Sequence, residues 1–389
     1  MNQRRDNGTG SVSQRADGLW TGRIRIGLGS DGKQKVRAVY GKTEKEVKRK
    51  LRDLQREIDS GKIQNINKET VQTYMTHWLT ETKRNELKPC SYDRLEQTLD
   101  LYVFPNIGSL QIGTITPRDV QALINTLRDR GLSYSTIKKA YDAVNSCFKN
   151  GMIQGTAACN PAMGVSLPRK ASIPAKEMRC YSYEEAKKIC TAATSKYGNG
   201  KSVFRLGDAI VVCLNTGLRV SELCGLKWED VDFENKTLSV NSTIVVERIR
   251  DKNAKQRYHC VEQNETKSIS STRIVDLNDV AYDALCRVKE ITDGERYVFA
   301  TENHKPIQPR NVDRMLRKIV IRAGLGEDKQ YGVHSLRHTF ASMLFAAGTD
   351  VKTVSELLGH ADTSVTFDTY IHLINGQKQR AINRIPTLF

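Results

Sequence analysis

Between Asn160 and Pro174 the chain carries three prolines, two basic residues and no hydrophobic period. Proline fixes φ and removes a backbone donor, so neither a helix nor a central strand runs through such a stretch. It reads as an interdomain linker, and it splits the 389 residues into parts that must bury separate cores. That agrees with length, since single cores rarely grow beyond ~250–300 residues.

Before the break the chain changes period from strand to helix. Near the N-terminus, Leu19–Ile26 and Lys33–Tyr40 alternate as strands do, around a turn at Gly27–Gly32. Arg23 and Arg25 share one face of the first strand, and Lys33, Lys35 and Arg37 oppose Val36, Ala38 and Tyr40 in the second. The expectation is a small sheet whose outer face carries all five cations, a plausible DNA-binding surface because a two-stranded ribbon fits the major groove. Thr43-x-x-Glu46 is a capping box opening a helix with Val47, Leu51, Leu54 and Ile58 along one stripe. From about 66 to 168 the period is helical: Val71, Tyr74, Met75, Trp78 and Leu79 are spaced as one buried face. Thr116-Pro117 supplies a cap and an N1 proline, and a further helix covers Ser133–Lys149, ending near Gly151. Four or five short helices follow, with Tyr74 and Trp78 in their core. Beyond Tyr181 lies a larger α-rich region, in which Lys236–Val245, Tyr258–Gln263 and Thr272–Leu277 are β-branched enough for one small antiparallel sheet.

The formal charge of +17 and isoelectric point near 9.4 require an acidic partner. No stretch approaches the ~18–20 apolar residues of a membrane span, and the N-terminal residues lack the apolar centre of a signal peptide. Nucleic acid is therefore the expected partner, and the three-proline linker could lie along it. Nine cysteines, an odd number with no Cys-x-x-Cys pair, point to a reducing, cytoplasmic setting and away from a zinc site.

Four short segments of the C-terminal half collect one chemistry. They are Thr216-Gly217-Leu218-Arg219-Val220-Ser221-Glu222-Leu223, then Lys267, then His334-Ser335-Leu336-Arg337, then Leu358-Gly359-His360 with Tyr370 ten residues on. Any one pair alone would more often be an ordinary surface pair of a helix. Together, two arginines, two histidines, a lysine and a tyrosine can grip a phosphate, protonate a leaving oxygen and attack phosphorus.

In that order the segments resemble the tyrosine recombinase (phage integrase) family, over roughly 180–380. The layout as a whole is similar to integrases of conjugative transposons and temperate phages of Gram-positive bacteria. The resemblance implies a multidomain, mainly α protein with small β-sheets. Residues 1–62 would be an arm-type DNA-binding domain of a three-stranded sheet plus helix. Residues 66–168 would be a helical-bundle, SAM-like core-binding domain, and 175–389 an α-rich catalytic domain with a small antiparallel sheet and a C-terminal tail. It implies Arg219, Lys267, His334, Arg337, His360 and Tyr370 as catalytic residues, with Glu222 supporting. Lys252, Lys255 or Arg273 are the other candidates for the lysine's role. Double-stranded DNA at core-type and arm-type sites, a homo-tetramer exchanging strands through a Holliday junction, and an excisionase or host DNA-bending protein are the implied partners. The tail Gln377–Phe389 would pack on a neighbouring protomer.

Physical chemistry supports the roles. Phosphoryl transfer develops charge on nonbridging oxygens, where fixed cations contribute most, and guanidinium meets phosphate bidentately. His360 can donate a hydrogen bond and His334 can take the tyrosine proton. Tyrosine ionises only near pH ~10, so a cationic nest is expected to lower the cost for Tyr370. Glu222 would orient Lys267 or an arginine. A 3′-phosphotyrosine conserves the diester's energy, so rejoining needs no ATP, and neither metal nor other cofactor is called for. The rival readings are a type IB topoisomerase-like nicking-closing enzyme, against which the additional N-terminal unit argues, and an inactive DNA-binding regulator.

Overall fold

The computed structural model describes residues 11–15, 18–28, 34–59, 69–173, 178–251, 253–254, 256–263 and 273–375. Lys33, Lys252, Lys255, Lys267 and the tail Gln377–Phe389 lie outside them. The chain divides into two compact units, Met1–Ala175 and Lys176–Phe389.

In the first unit, β1 (Ser11–Gln14), β2 (Trp20–Leu28) and β3 (Gln34–Gly41) form an antiparallel sheet in that order. Helix α1 (Glu44–Asp59) opens on half of the expected box: Thr43 Oγ1 accepts from the Glu46 amide, while the Glu46 carboxylate reaches one residue further back, to the Lys42 amide. Val47, Leu51 and Leu54 close over Ile24. The register corrects the single cationic face. Arg23 pairs with Ala38, Arg25 with Val36 and Ile24 with Arg37. Directly paired residues share a face, so the Arg37 position falls on the side of Ile24, away from Arg23. The alternation within each strand was legible, but which strand position meets which depends on the pairing, including the irregularity between Arg25 and Gly27. A shift of one residue exchanges the faces.

The helical bundle comprises α2 (Val71–His77), α3 (Pro89–Thr98), α4 (Pro117–Asp129) and α5 (Tyr134–Gln154). α2 and α3 each run on through a π-turn, Trp78–Lys83 and Leu99–Val103. Thr116 and Asp119 cap α4 reciprocally. Tyr74 and Trp78 are buried core residues, as the spacing predicts. Helix α5 passes through Gly151 and stops at Gly155, which has φ +70°. Gly151 serves a close approach instead: a Cβ there would lie 1.8 Å from the Tyr74 hydroxyl. The proline-rich stretch is also not a free linker over 160–173. Asn160 is buried and bonds Asn145, Ser166 bonds Gln121, and Val165, Leu167 and Ile173 pack on the bundle core. Proline denies a segment regular structure; it does not deny it packing.

In the second unit, α6 (Tyr183–Ala193) and α7 (Asp208–Thr216) are followed by α8 (Val220–Gly225). Ala209–Leu214 of α7 is apolar all round and wholly buried, as expected of a central helix. The β region makes two sheets where one was expected. β4 (Val231–Asp232), β5 (Thr237–Val240) and β8 (Arg273–Asp276) form one, and β6 (Thr243–Arg248) with β7 (Tyr258–Gln263) the other. The run Lys236–Val245 breaks because Ser242 turns inward to donate to the Gly225 carbonyl (2.7 Å) while Asn241 bonds Asp230 (2.7 Å). Helices α9 (Asp279–Thr292), α10 (Pro309–Arg322), α11 (His334–Ala346), α12 (Val351–Leu358) and α13 (Thr363–Asn375) complete the unit.

Candidate active site

The site forms where two helices end and a third begins. Helix α7 ends at Gly217 (φ +62°) and α12 at Gly359 (φ +63°), both left-handed positions that favour glycine. The last carbonyls of a helix lack intrahelical partners and carry its negative dipole end. Here four of them hold three guanidiniums. Arg337 donates through Nη1 to Gly217 O (2.9 Å) and through Nη2 to Leu358 O (2.6 Å). Arg219 donates to Gly359 O (3.0 Å), and Arg273 Nε to Leu357 O (3.1 Å).

Arg219 stands just before α8 in extended conformation rather than within the helix. Its amide and its guanidinium both donate to Glu222, at 2.9 and 2.6 Å. Glu222 is 3% exposed and also accepts from Arg273 at 3.0 and 3.3 Å. Burial alone would raise its carboxyl pKa, but hydrogen bonds and charge from Arg273, then Arg219, outweigh that and hold it below the ordinary value. Of the two roles expected for Glu222, it therefore orients an arginine.

Arg337, on the first turn of α11, is buried, whereas His334, which opens that turn, is exposed. Burial, then the Arg219 charge, press the Arg337 guanidinium below its usual range, yet it stays charged at neutral pH. His334 is lowered by partial enclosure and then by Arg337 and Arg219. His360 follows the Gly359 cap, and its Nδ1 lies 2.6 Å from the buried hydroxyl of Thr366. Burial, then Arg337 and Arg219, push its pKa down to about 4, so the ring is neutral near pH 7. With Thr366 donating to Nδ1, Nε2 carries the hydrogen and is a donor.

Tyr370 departs from expectation. Its side chain is 1% exposed, packed with Phe345, Ala341, Val354 and Leu358. Burial raises its pKa, and the opposing charge of Arg337 is too weak to reverse this. The cationic nest thus does not offset what burial adds to the cost of ionisation in this state. Its hydroxyl meets His338 Nδ1 at 2.7 Å, and not His334. His338 is pushed down to about 4 by burial, then by His334 and Arg337. The enclosed phenol has one hydrogen and must place it, so the phenol donates and the neutral imidazole accepts. The rings of His334 and His338 meet edge to face at 4.6 Å.

Of the predicted residues, Arg219, Glu222, His334, Arg337, His360 and Tyr370 converge through α7, α8, α11, α12 and α13; Lys267 lies outside the described residues. Arg273, an alternative for the lysine's role, does not fit it: its side chain is 7% exposed and its donors are engaged. His338 and Thr366 were missed. The signal for His338 was its place four residues after His334 and beside Arg337, one helical turn along the same face.

The pattern of the Phage integrase family matches residues 182–376, and that of the phage integrase N-terminal SAM-like domain matches 70–128. A "Tyrosine recombinase XerC-like" protein of Caldanaerobacter subterraneus subsp. tengcongensis is 32% identical, over 94% of this chain and 95% of that protein. The "Transposase from transposon Tn916" of Enterococcus faecalis is 25% identical, over 84% and 80% of the two chains. The structure of the Tn1549 transposon integrase with transposon right end DNA superposes with a TM-score of 0.61, at 23% identity, covering 80% of this chain and 99% of that one. The chain belongs to the phage integrase family, the tyrosine recombinases. It is an enzyme that cuts and rejoins DNA.

Proposed function

We propose that the chain is a site-specific recombinase that integrates and excises a mobile element through a 3′-phosphotyrosine intermediate. The observation that carries this reading is the Leu357–Gly359 turn, whose carbonyls fix three guanidiniums beside a buried tyrosine. Rigidly held cations stabilise the charge that develops on a transferring phosphoryl group without reorganising. Arg219 and the His334 edge are open to an incoming phosphate. Arg337 and Tyr370 are enclosed, so engagement of DNA must be accompanied by movement of the surrounding chain. Arg219 and Arg337 then bind the nonbridging oxygens, His360 donates through Nε2, and Tyr370 attacks. Lys267 protonates the departing 5′ oxygen.

The phosphotyrosine keeps the energy of the diester, so a 5′-hydroxyl from another duplex can reverse the step. Exchange between two duplexes cuts four strands, one per tyrosine, and so calls for four chains on DNA. We assign 1–62 to arm-type sites, 66–168 to core-type sites and 175–389 to catalysis. Arg23, Arg25, Lys33, Lys35 and Arg37 are the candidate arm-site contacts, of which those on one face of the sheet meet DNA; an excisionase or host bending protein sets direction, and the tail Gln377–Phe389 packs on a neighbouring protomer. Among the described residues no helix is long and apolar enough to cross a membrane, and the work is placed in the cytoplasm, on the nucleoid when DNA is bound.

The test offers two labelled duplexes carrying candidate attachment sites, alongside a supercoiled plasmid carrying one. Products joined across the duplexes support recombination. Relaxation without joining supports a nicking-closing enzyme, and binding without either supports a regulator.

A further inference from the structure

Glu222 has no free acceptor position. Oε1 takes Arg219 Nη1 at 2.6 Å and Arg273 Nη1 at 3.3 Å, while Oε2 takes the Arg219 amide at 2.9 Å and Arg273 Nη2 at 3.0 Å. Two carboxylate oxygens offer about four acceptor sites, so the carboxylate cannot rotate without losing a bond. Arg273 spends its third direction on Leu357 O, at 3.1 Å. It also sits against the turn that follows: a Cβ on Gly359 would lie 2.9 Å from both Arg273 Cδ and Nη1. One side chain thereby braces two parts of the site, the carboxylate that holds Arg219 and the turn whose carbonyls hold Arg219 and Arg337.

The charges explain why a second guanidinium is needed. Arg219 paired with Glu222 alone is neutral, a poor receptor for a phosphodiester. With Arg273 the trio keeps one net positive charge, and the open member, Arg219 with its side chain 33% exposed, presents it. A lysine could supply the charge but not three directed donors.

We propose that Arg273 is a positioning residue for strand cleavage: it locks Glu222 and the Leu357–Gly359 turn so that Arg219 meets the scissile phosphate with its charge uncancelled. The inference rests on the recombinase reading above, and it makes a claim of coupling. Arg273 acts through Glu222, so its loss should matter less once Glu222 carries no charge.

The experiment measures single-turnover adduct formation on a nicked attachment-site duplex for wild type, Arg273→Met, Arg273→Lys, Glu222→Gln and the Arg273→Met/Glu222→Gln pair. Duplex affinity and thermal melting are recorded for each. Arg273→Met is expected to slow cleavage by roughly 100-fold, the scale of one lost fixed donor, with affinity unchanged. Arg273→Lys falls between, and the pair is slowed by clearly less than the product of the two single losses, a non-additivity that independent sites do not show. Losses that multiply in the pair overturn the inference, as does a loss in affinity that matches the loss in rate, because Arg273 would then act on DNA directly. A rate deficit that disappears below each variant's melting onset also overturns it, leaving a purely structural role. If wild type binds the duplex but forms no adduct, the recombinase reading itself fails and takes the inference with it. Normal wild-type cleavage with unimpaired Arg273→Met sinks the inference alone.

Discussion

Replacing His338 by leucine removes the acceptor of the Tyr370 hydroxyl while keeping an apolar side chain of similar bulk in place. The bond is 2.7 Å long and the phenol is 1% exposed, so no water can substitute at once. Stranding a buried donor costs ~1–3 kcal/mol, and that cost falls on the retracted tyrosine, because an extended one hydrogen-bonds to solvent or DNA. The share of molecules with Tyr370 available should rise by roughly 5- to 150-fold, at 1.4 kcal/mol per tenfold. His338 is a poor base for the step, since its pKa near 4 lies far below that of a phenol already raised by burial. The expectation is therefore faster cleavage in His338→Leu, read as initial adduct formation on a nicked duplex under saturating DNA. His338→Asn, which keeps an oxygen acceptor near the position of Nδ1, should stay close to wild type. Slower cleavage by His338→Leu at unchanged affinity, with an acid limb of the pH–rate profile that moves, would refute the reasoning and make His338 the proton acceptor.

The histidines also set an acid limit. His338 and His360 both titrate near pH 4 in the folded chain, against about 6.5 ordinarily. The unfolded chain thus binds more protons between pH 6.5 and 4, and stability must fall as pH drops through that window; melting temperatures across it should decline less in His360→Asn, and a flat wild-type profile would contradict this. Gly359→Ala combines a left-handed backbone cost of ~1–2 kcal/mol with contact on Arg273, whereas Gly324→Ala has the former (φ +71°) and open space. Urea unfolding should show the larger loss for Gly359→Ala, and equal losses would mean the Arg273 contact is soft. At the N-terminus, Arg23→Gln/Arg25→Gln and Lys35→Gln/Arg37→Gln should weaken arm-site binding unequally, since the register separates Arg23 from Arg37. The pair facing DNA lowers the slope of affinity against salt and leaves core-site cleavage intact; equal loss at both sites would refute the division of labour.

What the sequence could tell depended on whether the physics was local. The stripe Val71–Leu79 and the boxes at Thr43 and Thr116 are local, and the helices formed where they pointed. The resemblance implied a third strand, but the residues did not show where β1 lies, because Ser11–Gln14 holds a single apolar residue and is a strand only by pairing with β2. Gly151 looked like a stop and is a contact, since the tyrosine it admits is 77 residues away in the chain. Five of the catalytic candidates come together in the fold, and they stood out in the sequence because each side chain has a chemistry of its own; Lys267 lies outside the described residues. The setting of the five was not legible, because the partners of the arginines are backbone carbonyls, which every residue possesses. The state of Tyr370 was misjudged for a related reason: nearby cations can be counted in a sequence, but the burial that outweighs them exists only in the fold.

The central claim is that Tyr370 becomes joined to a 3′ phosphate. The direct measurement traps the adduct on a nicked attachment-site duplex, digests protein and DNA, and identifies the modified peptide and the nucleotide linkage by mass spectrometry. The account predicts a single peptide carrying a 3′-linked nucleotide on Tyr370, a free 5′-hydroxyl on the released strand, and no adduct in Tyr370→Phe. Attachment at another residue, a 5′ linkage, or an adduct that survives Tyr370→Phe would contradict it.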